Sequence, residues 1–340
     1  MSSQGEPQAD RAGPTRRKLL MGLAAGGATW AVGACSSTPR GPAVGQGSRT
    51  PTGSRRSPTD SPTGESLPPT KPWQANPADV SPQVKLRAAR LIEVVGAWPE
   101  GEGGRTAAMR RAQTHGYDPR LVSEMTPLLP DAQSAVVEVV NAQYGGILPT
   151  SASVLLVVNQ WFRHDDGVVA ATGTTVDVRL DASSAQWGVT AVRPANPAPR
   201  ENPISVTARR LLANDRVRLP FAARADVQSG GISDAVLRAL SLLSREHMLD
   251  VSVLQSGHPI RVFGTDRRSD HADGRAADIW AIDGRLVIEQ NNRHAVVEVM
   301  RAAVTAGAYQ VGGPVNLDGA GTTYFSDATH QDHIHMGFTT

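Results

Sequence analysis

The sequence predicts an α+β protein with two folded regions, and three observations predict it. Residues 84–95 place apolar side chains at mostly helical spacing, and residues 135–192 contain segments that alternate apolar and polar side chains, as strands with one buried face do. Four prolines between residues 194 and 203 then separate this part from a second mixture of helical and strand patterns. At 340 residues the chain is long enough for two hydrophobic cores.

The N-terminus has the pattern of an export signal. Residues 15–18, of which three are basic, precede a short apolar run at residues 19–30 that is rich in Gly and Ala. The adjacent Arg16 and Arg17 resemble the twin-arginine export signal, and the general secretory route stays open. The run ends in Val-Gly-Ala-Cys at residues 32–35, which resembles the bacterial lipobox. We therefore expect Cys35 to be lipidated and the protein to be anchored at the outer face of the cytoplasmic membrane.

Composition limits both the covalent chemistry and the partners. Cys35 is the only cysteine, so a lipidated chain forms no disulfide. The formal net charge is only +2, and no basic stripe stands out along the sequence. Nucleic acid is therefore not an expected partner, since phosphate binding requires clustered cations.

Residues 36–80 are dominated by Ser, Thr, Pro and Gly, which predicts a disordered tether. A first region at residues 81–195 then reads as helices followed by an antiparallel meander, and it loosely resembles the NTF2-like cone fold. Asp165 and Asp166 precede a glycine and are interpreted as turn residues. This first region shows no sign of chemistry. Residues 196–204 are predicted to be a linker to a second region at residues 205–340.

The second region carries the candidate chemistry. Asp278 begins an apolar run that predicts a buried strand, and a carboxylate there must be paired, hydrogen-bonded or bound to a metal. His271 lies seven residues upstream, and Gly274 between them permits a tight backbone path.

A second ligand-rich segment lies near the C-terminus. His333 and His335 are two residues apart, so on a strand they share a face. One Asp with two or three His suits a single zinc ion, and three protein ligands leave a position open for catalysis.

These two segments carry a resemblance to a known family. Residues 269–278 fit S-x-H-x-x-G-x-A-x-D at every fixed place, and the Asp332-x-x-His335 and His333-x-His335 patterns fit a second motif. Together they resemble the M15-type D-Ala-D-Ala peptidases, whose zinc fold with an antiparallel sheet includes lysostaphin-type enzymes and the hedgehog signalling domain. The resemblance implies that His271, Asp278 and His335 hold one zinc ion.

The resemblance also implies an activity. It indicates a peptidase of the D,D-carboxypeptidase or endopeptidase type that acts on peptidoglycan stem peptides. Ser269 is expected to help hold the substrate carboxylate, and Asp332 or His333 to handle the proton; strand periodicity favours His333, and the family pattern favours Asp332. The alternative is a zinc-containing lipoprotein that binds peptidoglycan or a protein without catalysis.

One segment departs from the family pattern. Where the family often has an aromatic residue and an arginine after Ser-Gly, this chain has His258 and Pro259. Arg261, Arg267 and Arg268 remain alternatives for the missing arginine.

Overall fold

The computed structural model describes residues 66–182 and 186–339, all of which belong to one compact unit. The export signal, Cys35 and the tether before residue 66 lie outside the described residues, so those predictions stay predictions. No helix in the described ranges is both long enough and apolar enough to cross a membrane. The described chain is α+β with antiparallel strand pairing in both of its sheets, which confirms the predicted class at that level.

Residues 82–194 form what we call the first layer, in which helices pack against a four-stranded antiparallel sheet with the order β1-β2-β3-β4. Pro82 occupies the first turn of its helix, where its missing N–H costs nothing. After Asp118 the chain forms a 3-10 turn, Pro119–Glu124. The regular elements are α1 (Pro82–Gly96), α2 (Arg105–Thr114), β1 (Ser134–Ile147), β2 (Ser151–Arg163), β3 (Val169–Asp181) and β4 (Gly188–Pro194).

The folded part of the chain begins before residue 81. Residues 66–80 contain no helix or strand, but the backbone N–H of Trp73 donates to Glu93 Oε1 at 2.6 Å. The Asp79 carboxylate is buried and pairs with Lys85. The predicted tether is therefore too long at its C-terminal end, because composition does not show that the Trp73 backbone and the Asp79 carboxylate find partners on α1.

Residues 206–337 form what we call the second layer, a mixed sheet covered by helices. The strand order is β10-β9-β11-β7-β6-β5, and β8 pairs with β7. The elements are α3 (Val206–Leu212), β5 (Val217–Arg218), α4 (Phe221–Gln228), α5 (Asp234–Leu243), β6 (Leu249–Val253), β7 (Ala276–Ile282), β8 (Arg285–Leu286), α6 (Arg293–Thr305), β9 (Gln310–Gly312), β10 (Tyr324–Phe325) and β11 (Ile334–Gly337).

Each layer has its own hydrophobic core, and residues 195–205 between them carry no helix or strand. The layers approach each other closely at two glycines. A Cβ atom at Gly146 of β1 would lie 2.1 Å from the Phe263 side chain, and one at Gly173 of β3 would lie 2.4 Å from Phe221. Only a residue without a side chain permits these contacts. The second layer therefore packs directly on the sheet of the first.

Candidate metal centre

Three ligand-capable side chains from three chain segments meet in the second layer. His271 lies in the 3-10 turn Asp270–Asp273, Asp278 lies on β7, and His335 lies on β11 directly opposite Asp278 in the antiparallel register. His271 Nε2 is 3.1 Å from Asp278 Oδ1 and 3.2 Å from His335 Nδ1. His335 Nδ1 is 3.0 Å from the same Asp278 oxygen. We call these three residues the metal centre.

The turn that carries His271 is shaped by its own sequence. Ser269 caps the turn, because its Oγ accepts the backbone N–H of His271 at 3.3 Å. Gly274 ends the turn in the left-handed region with φ 65°, which a side chain would disfavour. The chain then enters β7, so His271 and Asp278 converge as the spacing predicts.

The tautomer of His271 follows from its surroundings. Its Nδ1 lies 2.7 Å from the carbonyl oxygen of Leu254, which can only accept a hydrogen bond. Nδ1 must therefore carry the proton, and Nε2 presents its lone pair towards Asp278 and His335. A backbone carbonyl that fixes a histidine in this way is typical of metal-binding imidazoles.

The geometry of the three atoms fits a metal ion. Tetrahedral bonds of about 2.0–2.1 Å place ligand atoms about 3.3–3.4 Å apart. The separations of 3.0–3.2 Å are within a small rotamer change of that value. The described residues contain a His-His-Asp cluster that could hold a metal, formed by His258, His271 and Asp278, and His335 lies beside it.

The electrostatics of the metal centre also suit a cation. Burial on its own would raise the pKa of Asp278, but nearby His271 and His333 and the hydrogen bonds from His271 and His335 hold it well below its usual range. Burial lowers the pKa of His335 to about 4 in spite of Asp278. A charged carboxylate and a neutral imidazole are the protonation states in which these side chains bind metals.

His333 and Asp332 form a hydrogen-bonded pair beside the metal centre. His333 Nδ1 is 2.6 Å from Asp332 Oδ1, and His333 Nε2 is 3.7 Å from Asp278 Oδ2. His333 lines a cavity that opens over the metal centre, whereas Asp332 lines a different one. Burial would lower the pKa of His333, but Asp278 and Asp332 raise it. Asp332 thus contacts the ring of His333 through Nδ1, and Nε2 lies on the side of Asp278. Which of the two residues handles the proton stays a prediction.

Two residues of the first layer anchor Asp332. Lys85 Nζ is 2.6 Å from Asp332 Oδ2, and the backbone N–H of Tyr144 donates to the same oxygen at 3.2 Å. Lys85 is buried and also pairs with Asp79. Burial would lower the pKa of Lys85, but Asp332 and Asp79 raise it, so the ammonium stays charged. Nothing in the local sequence pattern around Lys85 indicated this contact.

A cavity of about 480 Å³ opens over the metal centre. Asp278, His333 and His335 line it together with Ser269 and Arg267. Residues from both layers complete the wall, and those of the first layer are Tyr144, Gly145, Gly146, Ile147 and Leu148. Ser269 is buried at this surface, and its substrate-binding role stays a prediction.

The three candidate arginines have different surroundings in the structure. Arg261 pairs with Asp266 at 2.6 Å, and Arg268 pairs with Asp273 at 2.6 Å. Of the three, Arg267 alone lines the described cavity. Arg267 is therefore the one whose position suits a substrate carboxylate.

His258 is a site residue that the sequence reasoning missed as a possible ligand. One of its ring nitrogens lies within 4.8 Å of ligand atoms of His271 and Asp278. Its ring stacks on that of His271, with centroids 3.9 Å apart and planes inclined by 20°. Imidazoles bind metals through in-plane lone pairs, so two stacked rings direct those lone pairs past each other. As placed, His258 is therefore a neighbour of the metal centre rather than a fourth ligand.

Comparisons of the chain with protein-family models, with curated proteins and with solved structures found no match.

Proposed function

We propose that this chain is a zinc-dependent peptidase that hydrolyses peptidoglycan stem peptides at the outer face of the cytoplasmic membrane. One observation carries the proposal. Three ligand atoms lie within 3.2 Å of one another beside a cavity that His333 also lines. Three protein ligands beside an accessible cavity are typical of a catalytic zinc site, because the fourth position stays available.

The donor set favours zinc. Two imidazole nitrogens and one carboxylate oxygen form a borderline set that zinc accepts, while an oxygen-only set would favour magnesium or calcium. Bound zinc would supply Lewis-acid polarisation of the scissile carbonyl and a nucleophile at neutral pH.

The chain's own residues supply the remaining steps. His333 lines the cavity, and we expect its Nε2 to accept the proton of the attacking water and to return it to the leaving amine. Asp332 fixes the proton of His333 on Nδ1, as its 2.6 Å hydrogen bond requires. Arg267 and Ser269 line the same cavity, and we expect them to hold a carboxylate of the peptide. Both D,D-carboxypeptidase and endopeptidase action fit this arrangement.

The activity is tested by digestion of purified peptidoglycan fragments with the full chain, followed by separation of the products. Zinc content is measured on the same preparations. We expect one zinc per chain and new peptide termini from the wild type, and neither from His271→Ala. His294→Ala is the matched control, because the His294 side chain is 89% exposed and lies in α6, outside the metal centre. Equal product profiles for the wild type and His271→Ala would sink the proposal.

A second candidate function rests on His258. If its ring rotates to bind the ion, four protein ligands close the site, and closed sites are typical of structural zinc. The protein would then be a zinc-containing lipoprotein that binds peptidoglycan or a protein without cleaving it. Counting imidazole ligands by X-ray absorption in wild type and His258→Ala separates the two. A loss of one imidazole in the variant favours binding without catalysis, and an unchanged count favours the peptidase.

The location of the protein is tested through Cys35. We propose that the export signal delivers the chain across the membrane and that lipid on Cys35 retains it there. Cys35→Ser is expected to release the protein into the soluble fraction, while replacing Arg16 and Arg17 with lysines tests the twin-arginine route. Retention of Cys35→Ser in the membrane fraction would count against the lipid anchor.

A further inference from the structure

A buried glutamine of the first layer contacts the metal centre. Gln143 lies on β1 and is 0% exposed, and its Nε2 donates to Asp278 Oδ2 at 2.7 Å. Its Oε1 accepts the hydroxyl of Ser252 on β6. The carboxylate can only accept, so the amide orientation is determined: the NH₂ group faces Asp278 and the carbonyl faces Ser252.

The position of Gln143 on its strand explains how it reaches this site. Neighbouring Ala142 and Tyr144 belong to the core of the first layer. Side chains alternate across a strand, so Gln143 points to the opposite face, towards the second layer. A buried amide is costly unless it is hydrogen-bonded, and the described partners of the Gln143 side chain are both in the second layer.

Because of this contact, the two carboxylate oxygens of Asp278 have different partners. Oδ1 lies 3.1 Å from His271 Nε2 and 3.0 Å from His335 Nδ1, so it faces the place of the ion. Oδ2 is engaged by the amide of Gln143. With Oδ2 bonded to Gln143, Asp278 presents only Oδ1 to the ion. The imidazoles of His271 and His335 then fill two further coordination positions.

We propose that Gln143 is a positioning residue for the metal centre: it holds Asp278 so that a single carboxylate oxygen faces the ion. Through this contact the first layer sets the affinity for metal and the coordination geometry. This inference rests on the proposed metal site. It assigns the first layer a role in the chemistry that its own sequence does not indicate.

The proposal is tested on the full chain with Gln143→Leu and Ser252→Ala. The matched control is Gln160→Leu, since Gln160 is also buried in the first layer but its amide donates to the carbonyls of Gly96 and Leu128, away from the metal centre. Zinc affinity is measured by competition with a chromogenic chelator, coordination by the visible spectrum of the Co²⁺-loaded protein, and folding by circular dichroism.

We expect Gln143→Leu to bind zinc roughly 10–100-fold more weakly than wild type and to change the Co²⁺ spectrum, because the partners of metal ligands typically contribute that much. Ser252→Ala is expected to show the same changes to a smaller extent. Gln160→Leu should lower the unfolding midpoint but keep the zinc affinity and the Co²⁺ spectrum of wild type.

Three results would overturn the inference, and they are distinguishable. Folded Gln143→Leu with wild-type zinc affinity and spectrum overturns it directly and leaves the proposed function standing. If Gln143→Leu does not fold, wild-type behaviour of Ser252→Ala overturns it instead. Wild-type protein that binds no zinc removes the proposed function and this inference together.

Discussion

Lys85 and Asp332 form a buried ion pair, with Nζ 2.6 Å from Oδ2, that joins the first helix of the described chain to the segment before its last strand. The other oxygen of Asp332 holds His333. A charge on α1 is thus two contacts away from the imidazole that we assign to proton transfer.

Replacing Lys85 with methionine is expected to destabilise the fold strongly. The change leaves the buried carboxylates of Asp79 and Asp332 without their shared cation, and breaking a buried pair typically costs about 3–5 kcal/mol. Chemical denaturation of both proteins measures the difference. Arg90→Met is the control, because Arg90 pairs with Glu93 from a 43% exposed position and such pairs contribute about 0–1 kcal/mol. Equal losses for the two variants would contradict the buried role of Lys85.

His333→Ala and Asp332→Asn are expected to slow hydrolysis while zinc content stays near wild type. General acid-base groups contribute typically about 10²–10⁴-fold, and Asp332 acts here through His333. The double variant should therefore be no slower than the slower single one, since the two residues form one unit. Turnover of a stem-peptide substrate gives the three rates. Full activity of His333→Ala with loss in Asp332→Asn would instead make Asp332 the base.

Asp226→Ala is expected to loosen the segment that carries His258. Asp226 is 0% exposed; its Oδ2 accepts the backbone N–H groups of Gln255 at 3.1 Å and Ser256 at 2.8 Å. Each buried donor left without a partner costs about 1–3 kcal/mol. Hydrogen exchange of residues 255–258 should accelerate in the variant and stay unchanged in Asp234→Ala, whose side chain is 52% exposed. Unchanged protection in Asp226→Ala would disprove this anchoring.

At acid pH the fold should lose a small stabilising contribution from Asp327. Burial raises its pKa, but the nearby His330 and the backbone N–H groups of His330 and Thr329 lower it to about 2. The pKa of an aspartate in the unfolded chain is about 3.9, so between about pH 2 and pH 4 the folded state binds fewer protons than the unfolded state. The contribution of Asp327 to the free energy of unfolding is therefore full above about pH 4 and is lost as the pH falls towards 2.

The side chain of Asp327 is 51% exposed, so after solvent screening we expect less than about 1 kcal/mol. Denaturation of wild type and Asp327→Asn between pH 3 and 6 measures it. The difference between the two proteins should shrink below about pH 4, and a difference that grows with acidity would refute the assignment.

Residues 205–340 expressed alone are expected to bind zinc more weakly than the full chain. The fragment lacks Gln143 and Lys85, so Asp278 and Asp332 lose their partners, and Phe221 and Phe263 lose the glycines on which they pack. Chelator competition on both proteins is the measurement. A folded fragment with full zinc affinity would show that the second layer is self-sufficient.

Local patterns predicted the parts of the fold that depend on local residues. The helix at residues 82–96 and the meander of β1 to β4 follow from apolar periodicity, and a motif of fixed spacing brought His271 and Asp278 together. Helix α6 was not predicted, although Val296, Val299, Met300 and Ala303 recur at helical spacing and are all buried. That signal was present in the sequence.

Long-range partners were not predictable in the same way. Lys85 has the sequence context of a solvated helix position, and Gln143 that of a polar residue on an exposed sheet face. Each is buried only because the second layer packs on the first and supplies a carboxylate. The local sequence does not show that the two layers pack on each other. The predicted site therefore contained residues of the second layer only.

Strand β1 lies at the edge of its sheet, and residues close to the C-terminus cover its end: Tyr144 N–H donates to Asp332, and Ile147 N–H donates to Thr329 Oγ1 at 3.3 Å. Synthesis runs from the N-terminus, so the strand exists well before these acceptors do. Until then it presents open hydrogen-bonding groups of the kind that recruit foreign strands. Newly made chains thus pass through an association-prone interval that ends only when residues 329–332 have been added, and a chain cut short before residue 329 would never leave it.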